Sequence, residues 1–147
     1  MTIRRATADD VTALGELTQR EHGHSRFAHT PFDVQVVHAR FAGAIANLTS
    51  VVFVSETEGQ IDGVIAGAIQ PNLHNRFATV YELLWYSEGR QGLRLLDALK
   101  EWANTMRATA LVVHNYAGIK AQDTFNQVMQ RRGFDLLGQS YTTRLEN

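Results

Sequence analysis

Residues 50–70, SVVFVSETEGQIDGVIAGAIQ, constrain the fold more than any other stretch of this chain. Two runs rich in Val and Ile, 50–57 and 60–70, flank the pair Glu58-Gly59. A two-residue connection with glycine second suits the tight turn of an antiparallel hairpin, because that turn needs positive φ. PNLHN (71–75) reads as the next turn. Residues 77–86 then form a run that is apolar almost throughout, as expected of an inner strand covered on both faces. Three successive strands able to pair antiparallel make a sheet, and a sheet must be covered by something.

The flanking segments supply the cover. Residues 2–6 (TIRRA) read as a short strand. Thr7 begins TADDV, with Asp10 three residues on, an N-cap followed by acids that suit the positive end of a helix. Val11, Leu14 and Leu17 give the apolar stripe of a helix running to about Glu21. Residues 22–31 (HGHSRFAHTP) have no period and read as a loop. Asp33 opens a second helix, with Val34, Val37, Phe41 and Ile45 on one face. After the block of three strands, residues from about 89 to 107 predict the longest helix, with Leu95, Leu99, Trp102 and Met106 as its buried stripe. Residues 108–114 (ATALVVH) predict a strand, and residues 119–132 a helix closed by Gly133 at C′. FDLLG and SYTTRLE predict two short final strands around Gly138-Gln139. The order β-α-α-β-β-β-α-β-α-β-β contains a β-α-β crossover. It predicts an α/β (α+β) chain with a mixed, mostly antiparallel sheet and helices on both faces.

With 147 residues, no repeat, no low-complexity tract and two prolines, the chain is expected to form one domain, 1–147. Charged residues make up 20% and the net charge is −1, which argues against a dedicated nucleic-acid binder. Cysteine is absent, so neither disulfides nor thiolate metal sites can form. His22 and His24 make a His-x-His pair, with His29 nearby. No acidic or second histidine cluster follows at helical spacing, so no metal is expected. No apolar run approaches the ~18–20 residues of a membrane span, and the N-terminus lacks a basic-then-apolar leader. A cytoplasmic protein is the expectation, with no membrane partner.

The hairpin EGQIDGVIAGAI, the strand-loop-helix YELLWYSEGRQGLRLLDALKEWA and the ending RRGFDLLGQSYTTRL, in this element order, resemble the GNAT superfamily of N-acetyltransferases over nearly the whole chain. The ELLWY…GLRLL wording looks most like the small GNAT-type proteins of phage and prophage genomes. The resemblance implies a splayed cleft between the fourth and fifth strands and acetyl-coenzyme A as cosubstrate. It also implies transfer of the acetyl group to a primary amine of a small molecule or protein.

In GNAT proteins the loop between the fourth strand and third helix cradles the cofactor's pyrophosphate. Its backbone N–H groups and the helix's positive end do the work, and glycine lets the phosphate approach. Here the loop is residues 87–94. Gly89 and Gly92 are the close-approach candidates, and Arg90 or Arg94 the cationic partners. The family pattern is Arg/Gln-x-x-Gly-x-Gly/Ala. Matching Leu95-Leu96 to the family's leucine pair puts Gly92 at the final glycine, Arg90 at the middle one and Ser87 at the leading position. Alternatively the loop is shorter and Gly89 fills the middle role. Either way the motif is degenerate. Taken alone, EGRQG also reads as a plain turn and helix start. The implied cofactor-binding set is Leu84, Trp85, Tyr86, Ser87, Gly89, Arg90, Gln91, Gly92, Leu93, Arg94 and Asn115.

The resemblance makes Glu82 the base that deprotonates the amine, directly or through water. An inward carboxylate in so apolar a strand would be costly without a purpose. The other reading has Glu82 facing water or holding a structural hydrogen bond. The family's tyrosine acid falls on Met129, whose thioether donates no proton. Tyr116 could replace it, or could be a loop aromatic covering the sheet edge. His24, Arg26 and Phe27 would contact the acceptor, with His74 facing the same pocket, while His114 is expected at a strand end in a structural role. Arg4-Arg5 and Arg131-Arg132 read as solvated pairs. The competing function is a GNAT-fold protein that binds coenzyme A or a protein partner with weak or no catalysis. A transferase acting on charged tRNA would need a basic cleft. The final strand would offer an edge for a homodimer.

Overall fold

Glu58 (φ 52°) and Gly59 (φ 77°) both adopt the left-handed backbone that the tight turn requires. They join β2 (Ser50–Thr57) to β3 (Gln60–Pro71) in an antiparallel hairpin closed by the pair Thr57↔Gln60. This is the computed structural model of the chain, and it describes residues 1–114 and 119–145. The described residues fall into two compact units, one spanning Met1–His114 and the other lying within Asn115–Asn147.

The first unit holds the sheet. Its strand order is β1-β2-β3-β4-β5, with β1 Thr2–Arg5, β4 Ala78–Ser87 and β5 Ala110–Val112. Neighbours pair antiparallel except β4 and β5, which run parallel. The sheet is therefore mixed and mostly antiparallel, as the residue pattern predicts. Helices α1 (Val11–His24) and α2 (Val34–Ala46) cover one face. There Leu14, Leu17 and Phe41 pack with Val52, Val54, Val64 and Ala66, joined by the partly buried Leu84 and Tyr86. On the other face, α3 (Gly92–Thr105) buries Leu95, Leu96, Leu99, Trp102 and Ala103. Glycines let it settle. A Cβ at Gly67 would lie 2.6 Å from Leu99, and one at Gly63 would lie 3.0 Å from Leu95.

The ends of the elements follow local chemistry. Asp33 caps α2, accepting from the N–H groups of Gln35 and Val36. A short 3₁₀ turn, Ala8–Asp10, precedes α1, and the Thr7 N–H and hydroxyl both donate to Asp10 Oδ2. Asp10 also binds Arg4 at 2.7 Å, and Arg4 reaches Glu56 at 2.8 Å. Arg4 is thus a clamp between β1, β2 and the start of α1, not the solvated charge its sequence context suggests. Helix α1 runs three residues past the predicted Glu21. Helix α3 starts at Gly92 instead of about Gly89. Val34, expected on the buried stripe of α2, is exposed.

The second unit contains α4 (Ile119–Arg131), ended by Gly133 at φ 82° as predicted. The two final strands are not formed among the described residues. Leu136, Leu137, Tyr141 and Leu145 are all exposed, so this alternating segment buries no apolar face that would hold it as a strand. The edge it was to offer a second copy is likewise not formed. Among the described residues, no helix is long and apolar enough to cross a membrane.

Candidate active site

The central feature is a defect in β4. Ala66 pairs with Leu84 while Gly67 pairs with Glu82, so Leu83 is a surplus residue and β4 bulges there. A bulge bends a strand and increases its twist. It also reverses facing. Val80 and Glu82 lie on the α3 side beside Leu99, whereas Leu84 and Tyr86 join the core under α1 and α2. Pairing with β5 stops just before the bulge, at Tyr81↔Val112. From residue 82 to 87, β4 has no partner strand on that side among the described residues. The resemblance implies a splayed cleft at this place.

Glu82 sits where the two strands part. It faces inward and is only 5% exposed. Its Oε2 accepts from the backbone N–H of His114 at 3.0 Å and lies 3.3 Å from His114 Nδ1. Burial pushes the Glu82 carboxyl above its usual range, partly opposed by the His114 N–H. A carboxylate held in this way is a proton acceptor poised nearer neutrality than an exposed one. His114 lies two residues beyond the end of β5, which spans Ala110–Val112 instead of the predicted 108–114. Its contact with Glu82, 32 residues away in sequence, had no signal in the residue pattern.

At the end of β4, residues 88–90 form bends, and Gln91 leads into α3. The Glu88 N–H is taken by the Asp62 carbonyl at 2.8 Å, and Ser87 Oγ donates to the Gly89 carbonyl. From Gly89 to Arg94, no described residue accepts the backbone N–H, and Gln91 provides no side-chain cap. Six consecutive amides thus precede or open a helix whose positive end points the same way.

The two glycines of this loop differ. A Cβ on Gly89 would meet Asp62 Oδ2 at 2.5 Å, so this glycine lets the loop lie against β3. At Gly92 the nearest atoms would be Ser87 Cβ at 3.6 Å and Trp85 Nε1 at 3.9 Å, ordinary contact distances. No intramolecular crowding calls for glycine at position 92.

Side chains complete the rim. Trp85 Nε1 donates to the Gly92 carbonyl at 3.0 Å, tying the strand to the helix start. Arg94 donates to Gln91 Oε1 at 2.9 Å, while Gln91 is 2% exposed and its Nε2 has no partner among the described residues. Arg90 is exposed and makes no ion pair among the described residues. Glu88 binds Arg20 of α1 at 2.6 Å, which holds its carboxyl below the usual range. The Asp62 carboxylate, hydrogen-bonded by Ser55 and Thr57, lies directly beneath Gly89. The loop therefore carries one acid, Glu88, and lies over a second, Asp62 of β3, whose nearness the loop's own wording does not advertise.

The expected acceptor residues belong to other segments of the first unit. His24 ends α1 with Nδ1 2.7 Å from the Arg20 carbonyl, and the Arg26 guanidinium stacks 5.0 Å from the Phe27 ring centroid. His22 and His29 bind Thr30 Oγ1 and the Arg26 carbonyl. His74 belongs to the β3–β4 turn and lines a polar concavity of about 440 Å³ with Asn72, Asn75 and Tyr81. Asn115 and Tyr116 lie outside the described residues. Met129, in α4, is buried in the second unit.

Comparison with solved structures returns this fold repeatedly. The chain superposes on a Clostridium acetobutylicum protein, described as a predicted acetyltransferase and solved with acetyl-CoA, at TM-score 0.76 and 17% identity. That match covers 97% of this chain and 95% of the other. A protein of Agrobacterium tumefaciens str. C58, named only provisionally as an acetyltransferase, gives TM-score 0.76 at 20% identity, covering 99% and 100%. Ribosomal-protein-alanine N-acetyltransferase of Brucella melitensis biovar Abortus gives 0.69 at 12%, covering 99% of each chain. No family model matches the sequence, and no curated protein does. The fold is GNAT-like, a mixed five-stranded sheet with β4 and β5 parallel.

Proposed function

We propose that this protein is an N-acetyltransferase that moves an acetyl group from acetyl-coenzyme A to a primary amine of a small molecule or protein. The observation that carries the reading is the run of unaccepted amides from Gly89 to Arg94 at the mouth of α3, with Gly92 uncrowded from within. A diphosphate fits such a cradle, because every oxygen can accept and the helix end favours negative charge. Arg90 and Arg94 add cations. The rest of the same molecule is placed along β4 at Leu84, Trp85 and Tyr86, with one backbone N–H there polarising the thioester carbonyl.

Acetyl-coenzyme A supplies an acetyl group already activated as a thioester. The chain's own task is to deliver a neutral amine. Glu82 takes the ammonium proton, directly or through one water, and so frees the nitrogen lone pair for attack. Tyr116 is the proposed proton donor to the departing thiolate, and Asn115 a hydrogen-bonding partner at the same strand end. His24, Arg26, Phe27 and His74 are the proposed acceptor contacts. The Brucella neighbour's name gives a protein N-terminal alanine as acceptor, and a neighbour from a soil metagenome is named for aminoglycosides. Both acceptors are amines, which fits the class without choosing within it.

Calorimetric titration with acetyl-coenzyme A tests the reading. Micromolar binding that is lost in Gly92→Leu is the expected result. Absence of binding at millimolar cofactor would overturn it.

A second reading has its own support. Asp62 and Glu88 place two carboxylates at the loop, and each opposes an incoming diphosphate. A protein of this fold that binds coenzyme A weakly, or a protein partner instead, would tolerate them. Under that reading Asp62→Asn tightens acetyl-coenzyme A binding yet creates no turnover.

A further inference from the structure

We propose that His114 is the positioning residue for Glu82, committing Oε2 so that Oε1 is the atom that takes the proton. This rests on the reading of Glu82 as the base. The backbone N–H and the ring Nδ1 of His114 converge on one oxygen. The backbone N–H lies 3.0 Å from Oε2, and Nδ1 lies 3.3 Å from the same atom. No described residue binds Oε1. Two donors on one carboxylate oxygen fix both the rotation and the tilt of the group, which a single donor cannot do.

The placement gives this a use. Glu82 is buried at the divergence of β4 and β5, and its side chain is 3% exposed against 37% for His114. Unheld, a buried carboxylate on a bulged strand would sample several rotamers, few of them aimed at the cleft. Held by Oε2, it presents Oε1. One N–H bond of the acceptor ammonium breaks, one O–H bond forms at Oε1, and the electron pair stays on nitrogen. The proton returns to water after product leaves. The ring must carry its hydrogen on Nδ1 to act in this way, whereas a free neutral histidine favours Nε2. That tautomer is a signature of the pairing which simple packing would not impose.

Nitrogen-15 NMR of histidine-labelled protein at about pH 8, where the ring is ordinarily neutral, reads the tautomer. Nδ1–H in the wild type, reverting to Nε2–H in Glu82→Leu, is expected; Nε2–H in the wild type overturns the proposal. Turnover then follows with acetyl-coenzyme A and whichever of spermidine, kanamycin or an alanine-led peptide the wild type acetylates fastest. His114→Leu should lower kcat by about tenfold or more with acetyl-coenzyme A affinity unchanged. His114→Asn, whose amide nitrogen can sit near the place of Nδ1, should restore most of it. All variants keep the backbone N–H, and circular dichroism with a thermal melt checks that each is folded before it is scored. Equal losses in both variants, or a loss seen only in affinity, would refute the positioning role. An Nδ1–H ring in a protein that gives no heat with acetyl-coenzyme A would show the pair to be structural, and would remove the acetyltransferase reading together with the role.

Discussion

Gly89 and Gly92 stand three residues apart and answer to different neighbours. Alanine at Gly89 would push a methyl group into the Asp62 carboxylate, so Gly89→Ala should destabilise the protein, with a lowered midpoint in urea. Gly92→Ala should do the reverse. The backbone there is open to any L-residue and the space is ordinary, so alanine gains helix propensity of up to about 1 kcal/mol. The same variant should weaken acetyl-coenzyme A binding by about tenfold, because one charge-assisted contact is worth roughly 1.5 kcal/mol or more. A more stable protein that binds its cofactor less well is a combination that helix propensity alone cannot produce. Glu82 carries the other residue-level expectation. Glu82→Gln should lower kcat by about 10²-fold or more, the usual worth of a general base, and leave cofactor affinity intact.

Among the elements, the short ones were the hardest to foresee. Glu58-Gly59 announced its hairpin because only a few residue pairs accept two positive φ angles in a row. Asp33 announced α2 because a carboxylate at an N-cap has a fixed task. Removing that cap by Asp33→Ala should cost about 1 kcal/mol, read as a lower thermal midpoint. The bulge at Leu83 had no such sign. One surplus residue in a continuous apolar run leaves composition and local pattern unchanged, and only the pairing with β3 exposes it. The same limit hid the partners of Arg4 and Glu82. Glu56 and His114 lie 52 and 32 residues away, and no local period reports them. The final two strands failed differently, for alternation without a face to bury does not hold a strand. The change from strand to helix around residues 87–92 was thus legible, whereas the carboxylate of Asp62 beneath Gly89 was not.

At the scale of the whole molecule, two carboxylates should shape stability against pH, with opposite signs. Asp10 is held by Arg4 and the Thr7 amide at a pKa of about 2, against 3.8 in a free peptide. Its depressed value contributes stability that is complete above 3.8 and disappears as pH falls toward 2. Allowing for its partial exposure to solvent, about 1–2 kcal/mol is at stake. Asp10→Asn should therefore lower the melting temperature at neutral pH and flatten the loss between pH 4 and 2. Glu82 runs the other way. Burial raises its folded value above 4.5, so the folded state suffers as pH climbs and the group must ionise where water is scarce. Glu82→Gln should melt higher than the wild type at pH 7. That difference should vanish below about 4.5, and scanning calorimetry across pH will display both trends.

The surplus residue at position 83 has one more implication. A one-codon deletion there would restore an unbroken alternation along β4. The strand could then zip onto its parallel neighbour past Tyr81, and the Glu82 carboxyl would lose its alcove. The outcome would be a sturdier, seamless fabric with no doorway in it.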